Sequence, residues 1–443
     1  MRVVIRNGNL IDPANRLDGP ADLVIEDGRI RSVEPPQRLA QPSDPDTLEV
    51  DARGWIVAPG FVDLHVHFRE PGYEYKETVR TGAQSAVAGG FTTVACMANT
   101  NPVNDSAEVT RYILDKARSA DLARVLPIGA LSVGLRGERL APLDQMREAG
   151  IVAVSDDGRP VMNAGLMRRA LEWCADLGLP ISVHEEDLNL SAGGSMNEGP
   201  TAARLGRKGV PNAAEEVMIA RDLALARLTG GHVHVAHVSA RGSIDLIRQA
   251  KKDGLPVTAE VAPHHFSLTE EAVEDYQADA KMAPPLRQAA DVEAMREGLR
   301  DGTLDAIATD HAPHHRDDKA GTFETAAHGV VGLETALPLT LGLVETGVLS
   351  VSEAVRKLSW NPARIFHLPY GSLSVGAPAD VVVFDPNQAW TVAADGLHSK
   401  SSNTPFVGQR MKGRAVLTLV DGRVVYDGRQ VKGQKAKVKN EDR

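Results

Sequence analysis

The stretch GFVDLHVHFREPG, residues 60–72, alternates as a strand does but carries chemistry on one face. Side chains along a strand point to opposite faces in turn. Val62, Leu64 and Val66 are therefore expected on an apolar face, and Asp63, His65 and His67 on the other. A strand face open to water usually selects Lys, Thr or Glu. Two imidazoles and a carboxylate, followed at once by Arg69, point instead to a strand end turned into a site.

Seven further strand-like segments follow, over 91–98, 124–131, 151–155, 181–184, 232–238, 257–263 and 305–310. Helical patterns separate them, such as AGLMRRALEWCADLG (164–178) and NAAEEVMIARDLALARLTGG (212–231), the second closed by a glycine pair. Strands alternating with helices predict a parallel β/α architecture, and eight strands close a barrel. A doubly wound open sheet is the competing arrangement; it needs no particular strand count. The fold class read here is thus α/β, a (β/α)8 TIM barrel.

Both ends of the chain read differently. RVVIRNGNLI, ADLVIEDGRIRSV and TLEVDARGWIV near the start, and ADVVVFDP and AVLTLVDGRVVYDG near the end, are short apolar strands. Asp27-Gly28-Arg29 and Asp421-Gly422-Arg423 each interrupt a pair of them, a strong hairpin signal. Neither end has enough strands to bury a face alone. A small β-sandwich domain built from both termini is expected, from 1–57 and 367–430, around a barrel over 58–366. The charged segment 431–443 reads as a flexible tail, and the glycine-rich SAGGSMNEGP (191–200) as a flexible surface loop.

Composition narrows the partners. The chain has 443 residues, 42% hydrophobic and 24% charged, and a formal net charge of −10. That balance argues against nucleic acid. Cys96 and Cys174 are the only cysteines, too few for a disulfide framework or a four-thiolate zinc site. No signal peptide or apolar run long enough for a membrane span is visible, so the expected location is cytoplasmic.

Barrel enzymes keep their chemistry at the C-terminal ends of the strands. Those ends carry His65 and His67, Asn99, Asp157, His184, His237, His264 and Asp310. Ala306 and Ala308 share a face with Asp310, leaving room beneath that carboxylate. Imidazoles and carboxylates on several strand ends suit one or two transition metals: zinc, or manganese, iron or cobalt. His232 and His234 point away from His237 under strict alternation and are expected to pack against helices; His264 and His265 have no assigned role.

The segments DLHVHFREPG, SDDG, HEED, HVAHVS and ATDHAPH, in this order and spacing, resemble the amidohydrolase superfamily and, more closely, the bacterial class I dihydroorotases. GLETALPL (332–339) and SKSSNTPFVG (399–408) extend the likeness through nearly the whole chain. The resemblance implies reversible, metal-dependent cyclisation of N-carbamoyl-L-aspartate to L-dihydroorotate in pyrimidine biosynthesis, with one or two Zn2+ per subunit. It implies His65 and His67 at one metal, His184 and His237 at a second, and Asp310 as general base. Many relatives bridge the metals with a carbamylated lysine; residues 151–160 contain no lysine, and the resemblance puts Asp157 there, with Asp156 its rival. Arg69 and Asn99 correspond to groups that hold the substrate carboxylate, and His314, His328 and Gly329 to other substrate contacts. HRDDKAGTFETA after His314 resembles the family's mobile active-site loop. A homo-oligomer is expected, and aspartate transcarbamoylase is the partner the family suggests.

Three positions depart from the family pattern. Ala283 in KMAPPLR replaces an Asn that contacts the pyrimidine ring, His328 replaces Phe before Gly329, and Ala98 replaces Pro in MANT. Two alternative readings follow: a hydrolase of another cyclic amide (hydantoin, dihydropyrimidine or allantoin), or a non-catalytic scaffold for aspartate transcarbamoylase. The missing lysine bridge counts against the first and the filled ligand positions against the second.

Overall fold

Parallel strands bury both faces only when helices cover the outside and side chains fill the inside. In the computed structural model, which describes residues 2–36, 47–274 and 277–431, the middle of the chain adopts that solution. Strands Phe61–Val66, Phe91–Cys96 and Arg124–Pro127 pair in parallel. So do Ile181–Val183, Val233–Val235, Val257–Val261 and Ala306–Ile307. The fourth position is reduced to Val154, which bridges Gly129 on one side and Ile181 on the other. Its backbone is still paired both ways: Ser155 N–H donates to Gly129 O at 2.8 Å and Ser182 N–H to Val154 O at 2.9 Å. A bridge between Val66 and His311 joins last strand to first, and the ring closes as a (β/α)8 barrel.

Alternation then sorts the side chains. Val94, Val125, Ile181, Val233, Val257 and Ile307 point outward into a large apolar cluster shared with helices such as Ala164–Leu177 and Ala213–Thr229. Both helices stop where the glycine pattern predicts, at Gly178 and Gly230, whose φ of 67° and 74° L-residues rarely adopt. Ala95, Met97, Ile128, Ala153, Ala306 and Ala308 point inward.

The first strand breaks the expected alternation. Val62 and Leu64 join the inward cluster, whereas Val66 joins the helix-side one. The cause is a register slip between Asp63 and Val66 against the second strand. Such irregularities re-aim side chains beside active sites. Asp63 does not face the site; it accepts the backbone N–H of His65 at 3.0 Å and of Thr309 at 3.1 Å, stapling the barrel seam.

Residues 191–200 also correct an expectation. Met196–Asn197 forms a short parallel pair with Gly209–Val210, and both Met196 and Asn197 are buried. Asn197 is held on both sides, its Oδ1 accepting from Arg287 Nη1 at 3.0 Å and its amide donating to Glu270. Two of its glycines serve close approach: a Cβ on Gly194 would lie 2.5 Å from Val210 Cγ2, and one on Gly199 2.5 Å from Glu270 Oε2. Composition mimicked a loop because such contacts need glycine as much as turns do.

Both termini meet in one sheet, ordered Arg423–Asp427, Arg410–Val420, Val381–Thr391, Ile56–Pro59, Arg2–Asp12, Leu17–Glu26, Arg29–Glu34, with Thr47–Asp51 also pairing Arg2–Asp12. It folds around its own core, where Val3, Ile5, Leu23 and Ile25 meet Val381, Val383, Leu417 and Leu419. The two Asp-Gly turns form as expected, with φ of 49° and 78° at Asp27-Gly28 and 48° and 71° at Asp421-Gly422. They also touch: a Cβ on Gly28 would lie 3.0 Å from Asp421 O. The flexible tail expected from 431 falls, over 432–443, outside the described residues.

Period-two alternation joins this sheet to the barrel. Val382 and Phe384 face away from the sheet core and enter the barrel's outer cluster. Phe61, fully buried at the base of the first strand, meets Phe91 edge-on at 5.6 Å and Phe384 at 6.1 Å. Arg124, at the start of the third strand, pairs with Asp380 and Asp421 of the sheet. Phe61→Ala is expected to destabilise the chain by about 3–5 kcal/mol, read as a lower midpoint in equilibrium urea denaturation. An unchanged midpoint would show that this aromatic junction adds little.

Candidate metal centre and active site

The polar strand ends converge. Asp157 lies between four imidazoles: its Oδ1 is 3.4 Å from His65 Nε2, 3.5 Å from His184 Nδ1 and 3.3 Å from His237 Nε2, and its Oδ2 is 3.4 Å from His67 Nε2. Asp310 Oδ1 faces the first pair, 3.2 Å from His67 Nε2 and 3.5 Å from His65 Nε2. His184 Nδ1 and His237 Nε2 approach to 2.9 Å. All six residues are buried.

Backbone strain marks the same place. Arg69, His237 and Asp310 hold φ of 59°, 31° and 48°, in the left-handed region that non-glycine residues avoid. Each such residue costs of order 1 kcal/mol and persists only where packing enforces it. Here it turns three side chains from strand ends toward one centre.

The electrostatics ask for positive charge. Burial opposes ionisation of Asp157, yet the His65, His184 and His237 imidazoles hold its carboxyl well below the usual range. Burial likewise opposes charge on His184, but Asp157 and Glu186 raise it to about 10. His65 Nε2 is buried without a hydrogen-bond partner, aimed between Asp157 and Asp310. Two donor sets, His65–His67–Asp310 and His65–Asp157–His237, each bring their ligating atoms within 4.8 Å of one another. An orphaned imidazole nitrogen facing two carboxylates fits a divalent cation, and the nitrogen and oxygen donors suit a first-row metal.

Asp156 plays a different part. It accepts Ser132 N–H at 2.9 Å and the Ser132 hydroxyl, so it braces the neighbouring loop and leaves the centre to Asp157.

A cavity of about 370 Å³ opens above the centre. His67, Asp157, His184 and Asp310 form part of its lining, and Arg69, Asn99, His314, His328 and Gly329 another part. Arg69 is oriented by Pro313 O, 3.2 Å from its Nε, and lies 3.3 Å from His314 Nε2. His314 Nε2 donates to His328 O at 2.8 Å. Burial, with Arg69 and Lys76 nearby, lowers His314 to about 2, so its ring is neutral. Asn99 also touches the centre, its Oδ1 2.9 Å from His67 Nδ1, which fixes that ring as a donor there. Ala283 and His328, the two departures near the substrate positions, both line this cavity.

The segment after His314 is docked over the cavity rim. Lys319 Nζ donates to Ala278 O at 3.0 Å and Ala327 O at 2.8 Å; Lys281 Nζ donates to Glu324 O at 2.8 Å and Ala326 O at 2.7 Å. Phe323 is buried beside Met282.

Several participants escape sequence reading. Glu186 Oε2 lies 3.2 Å from His184 Nε2, directing Nδ1 to the centre; its signal is its place in HEED. Asn403 accepts His314 N–H at 2.9 Å and donates to Ala312 O at 3.1 Å and Gly329 O at 3.0 Å, clamping two loops of the cavity. His265 Nε2 bonds Pro284 O at 3.0 Å and lies outside the cavity lining with His264. His232 and His234 face the barrel interior and not the outer helices: both reach Thr258 Oγ1, at 2.8 and 2.9 Å, and His234 also meets Phe366, which caps the short helix Asn361–Ile365.

Residues 54–243 match the model of the family described as Dihydro-orotase-like, and residues 254–426 that of the Amidohydrolase family. The chain is 53% identical over 426 residues to a dihydroorotase of Pelobacter propionicus, covering 96% of this chain and 100% of the relative. It is 55% identical over 425 residues to a dihydroorotase of Anaeromyxobacter sp. strain K, covering 96% and 97%. Among solved structures it resembles the L-hydantoinase (dihydropyrimidinase) of Arthrobacter aurescens, with a TM-score of 0.84 at 27% identity over 96% of both chains. It also shares the fold of a dihydropyrimidinase from Brevibacillus agri, with a TM-score of 0.82 at 22% identity over 97% and 95%. Among the described residues no helix is long and apolar enough to cross a membrane. With relatives at this identity along nearly its whole length, the chain belongs to the dihydroorotase family of metal-dependent cyclic amidohydrolases.

Proposed function

We propose that the chain interconverts N-carbamoyl-L-aspartate and L-dihydroorotate, with His65, His67, Asp157, His184 and His237 holding zinc. The observation that carries this reading is one carboxylate, Asp157, set among four imidazoles on the floor of a cavity that Arg69 also lines. Nitrogen and carboxylate donors suit Zn2+. A divalent cation bound there would supply Lewis acidity, acidifying water and polarising the amide carbonyl. Asp157, within 3.5 Å of all four imidazoles, would hold the cation together with them, and no lysine lies within 151–160 to replace it.

The chain's own groups do the rest. Asp310 lines the cavity, and although burial opposes its ionisation, the His65, His67 and His237 imidazoles hold it below the usual carboxylate range. It is therefore ready to accept a proton from the attacking water and return it to the leaving ring nitrogen. In the cyclising direction the same carboxylate takes the proton from the carbamoyl nitrogen. Arg69 offers a planar fork to the substrate carboxylate, which suits a bidentate pair. Its guanidinium is held by Pro313 O and stands beside His314, so its direction is set before substrate arrives. Asn99, tied to His67 through its oxygen, has its amide N–H groups left to donate to the substrate. Gly329 serves through backbone: its φ is 126°, and a Cβ there would lie 2.6 Å from Ala312 Cβ.

Purified protein loaded with Zn2+ should hydrolyse L-dihydroorotate, and chelator should abolish turnover until metal is restored. Faster turnover of hydantoin or allantoin than of dihydroorotate would overturn the substrate assignment. Asp310→Asn should lower kcat roughly 10²–10⁴-fold while bound metal stays near the wild-type amount. Arg69→Lys should raise KM by roughly 10-fold or more, as a charged bidentate contact is lost. A KM unchanged in that variant would remove Arg69 from carboxylate binding.

A further inference from the structure

Below His65 the barrel interior holds a file of polar side chains reaching toward the opposite end of the barrel. His65 Nδ1 lies 3.0 Å from Glu260 Oε1, and Glu260 Oε2 lies 3.0 Å from His234 Nε2. His234 Nδ1 is 2.9 Å from Thr258 Oγ1, which is also 2.8 Å from His232 Nε2. Glu260 and His234 are 1% and 0% exposed, in an interior that Val62, Leu64, Ala95, Met97, Ala306 and Ala308 also line. A buried ionic group is costly unless it is fully paired, so this file needs an account.

The hydrogen bonds admit one consistent direction with neutral rings. His232 Nε2–H donates to Thr258, the Thr258 hydroxyl donates to His234 Nδ1, and His234 Nε2–H donates to Glu260. Glu260 also accepts the Nδ1–H of His65. Every donor is used, and the Nε2 lone pair of His65 is left facing Asp157 and Asp310. Glu260 faces an imidazole nitrogen on each side, and its two carboxylate oxygens accept one N–H each. His234 is fixed in turn by Phe366, edge-on at 5.8 Å.

We propose that Glu260, His234 and Thr258 are positioning residues that set the tautomer and direction of His65 and thereby the metal affinity of the centre. His234 touches neither cavity nor ligand nitrogen; it acts by denying the Glu260 carboxylate any other orientation. The proposal rests on the reading of His65 as a metal ligand. Partners behind a ligating imidazole raise its basicity, and their loss lowers metal affinity roughly 10–100-fold.

The test uses the full chain stripped of metal, Zn2+ titrated against a chromophoric chelator, and melting curves with and without Zn2+. Glu260→Gln and His234→Leu should weaken Zn2+ binding roughly 10–100-fold and shrink the rise in Tm that Zn2+ produces, with the Tm of the stripped protein less affected. His234→Gln, which keeps a donor, should recover part of the loss. If His234→Leu does not fold, Glu260→Gln and the near-isosteric Thr258→Val carry the test. Wild-type Zn2+ affinity in these variants would overturn the proposal. So would equal falls in Tm with and without Zn2+, since that outcome marks a structural role alone. His65→Ala separates the two readings: if it keeps wild-type Zn2+ stoichiometry, the ligand assignment fails; if it loses Zn2+ while His234→Leu does not, only the file fails.

Discussion

The structure turns on a buried carboxylate that no local sequence holds in place. Asp157 meets imidazoles from the first, fifth and sixth strands, each 3.3–3.5 Å away, and each arriving from a distant part of the chain. A buried charge is tolerable only when paired. Pairing here requires the barrel to close, because closure is what brings those strand ends to one mouth. The constraint runs outward from there: the bridge between Val66 and His311, the Asp63 staple at the same seam, and the left-handed turns at His237 and Asp310 all serve that closure.

The second domain is tied into this arrangement. Phe61 and Arg124 anchor the sheet at the base of the barrel, opposite the centre. The segment after the sheet's third strand then returns toward the mouth. Glu77 accepts Lys400 N–H at 3.1 Å and the Ser399 hydroxyl while lying 3.4 Å from His311 Nε2. Asn403 completes the strap by holding His314 and Gly329. Residues remote in sequence thereby preorganise the cavity wall, which lowers the ordering cost of binding.

Legibility followed the range of the physics. Strand positions, helix ends at Gly178 and Gly230, and the two Asp-Gly hairpins depend on nearby residues, and they were readable. The slip within the first strand was not, because a register is a relation between two strands. Residues 191–200 misled because glycine serves close contacts as well as turns. The expectation that His234 packs against helices missed its polar partner in the barrel interior, although a histidine and the carboxylate Glu260 in neighbouring apolar strands were signals of one.

By itself the sequence determined which residue types stand at the strand ends, that imidazoles and carboxylates gather there, and that residues 151–160 hold no lysine. Those are properties of composition and period, set by covalent order and the two-residue repeat of a strand. Tertiary structure alone decided that Asp157 faces the histidines while Asp156 turns to Ser132, and which nitrogen of His65 is left free. Neighbouring carboxylates are chemically identical in a sequence; only the groups that surround them in space give them different energies.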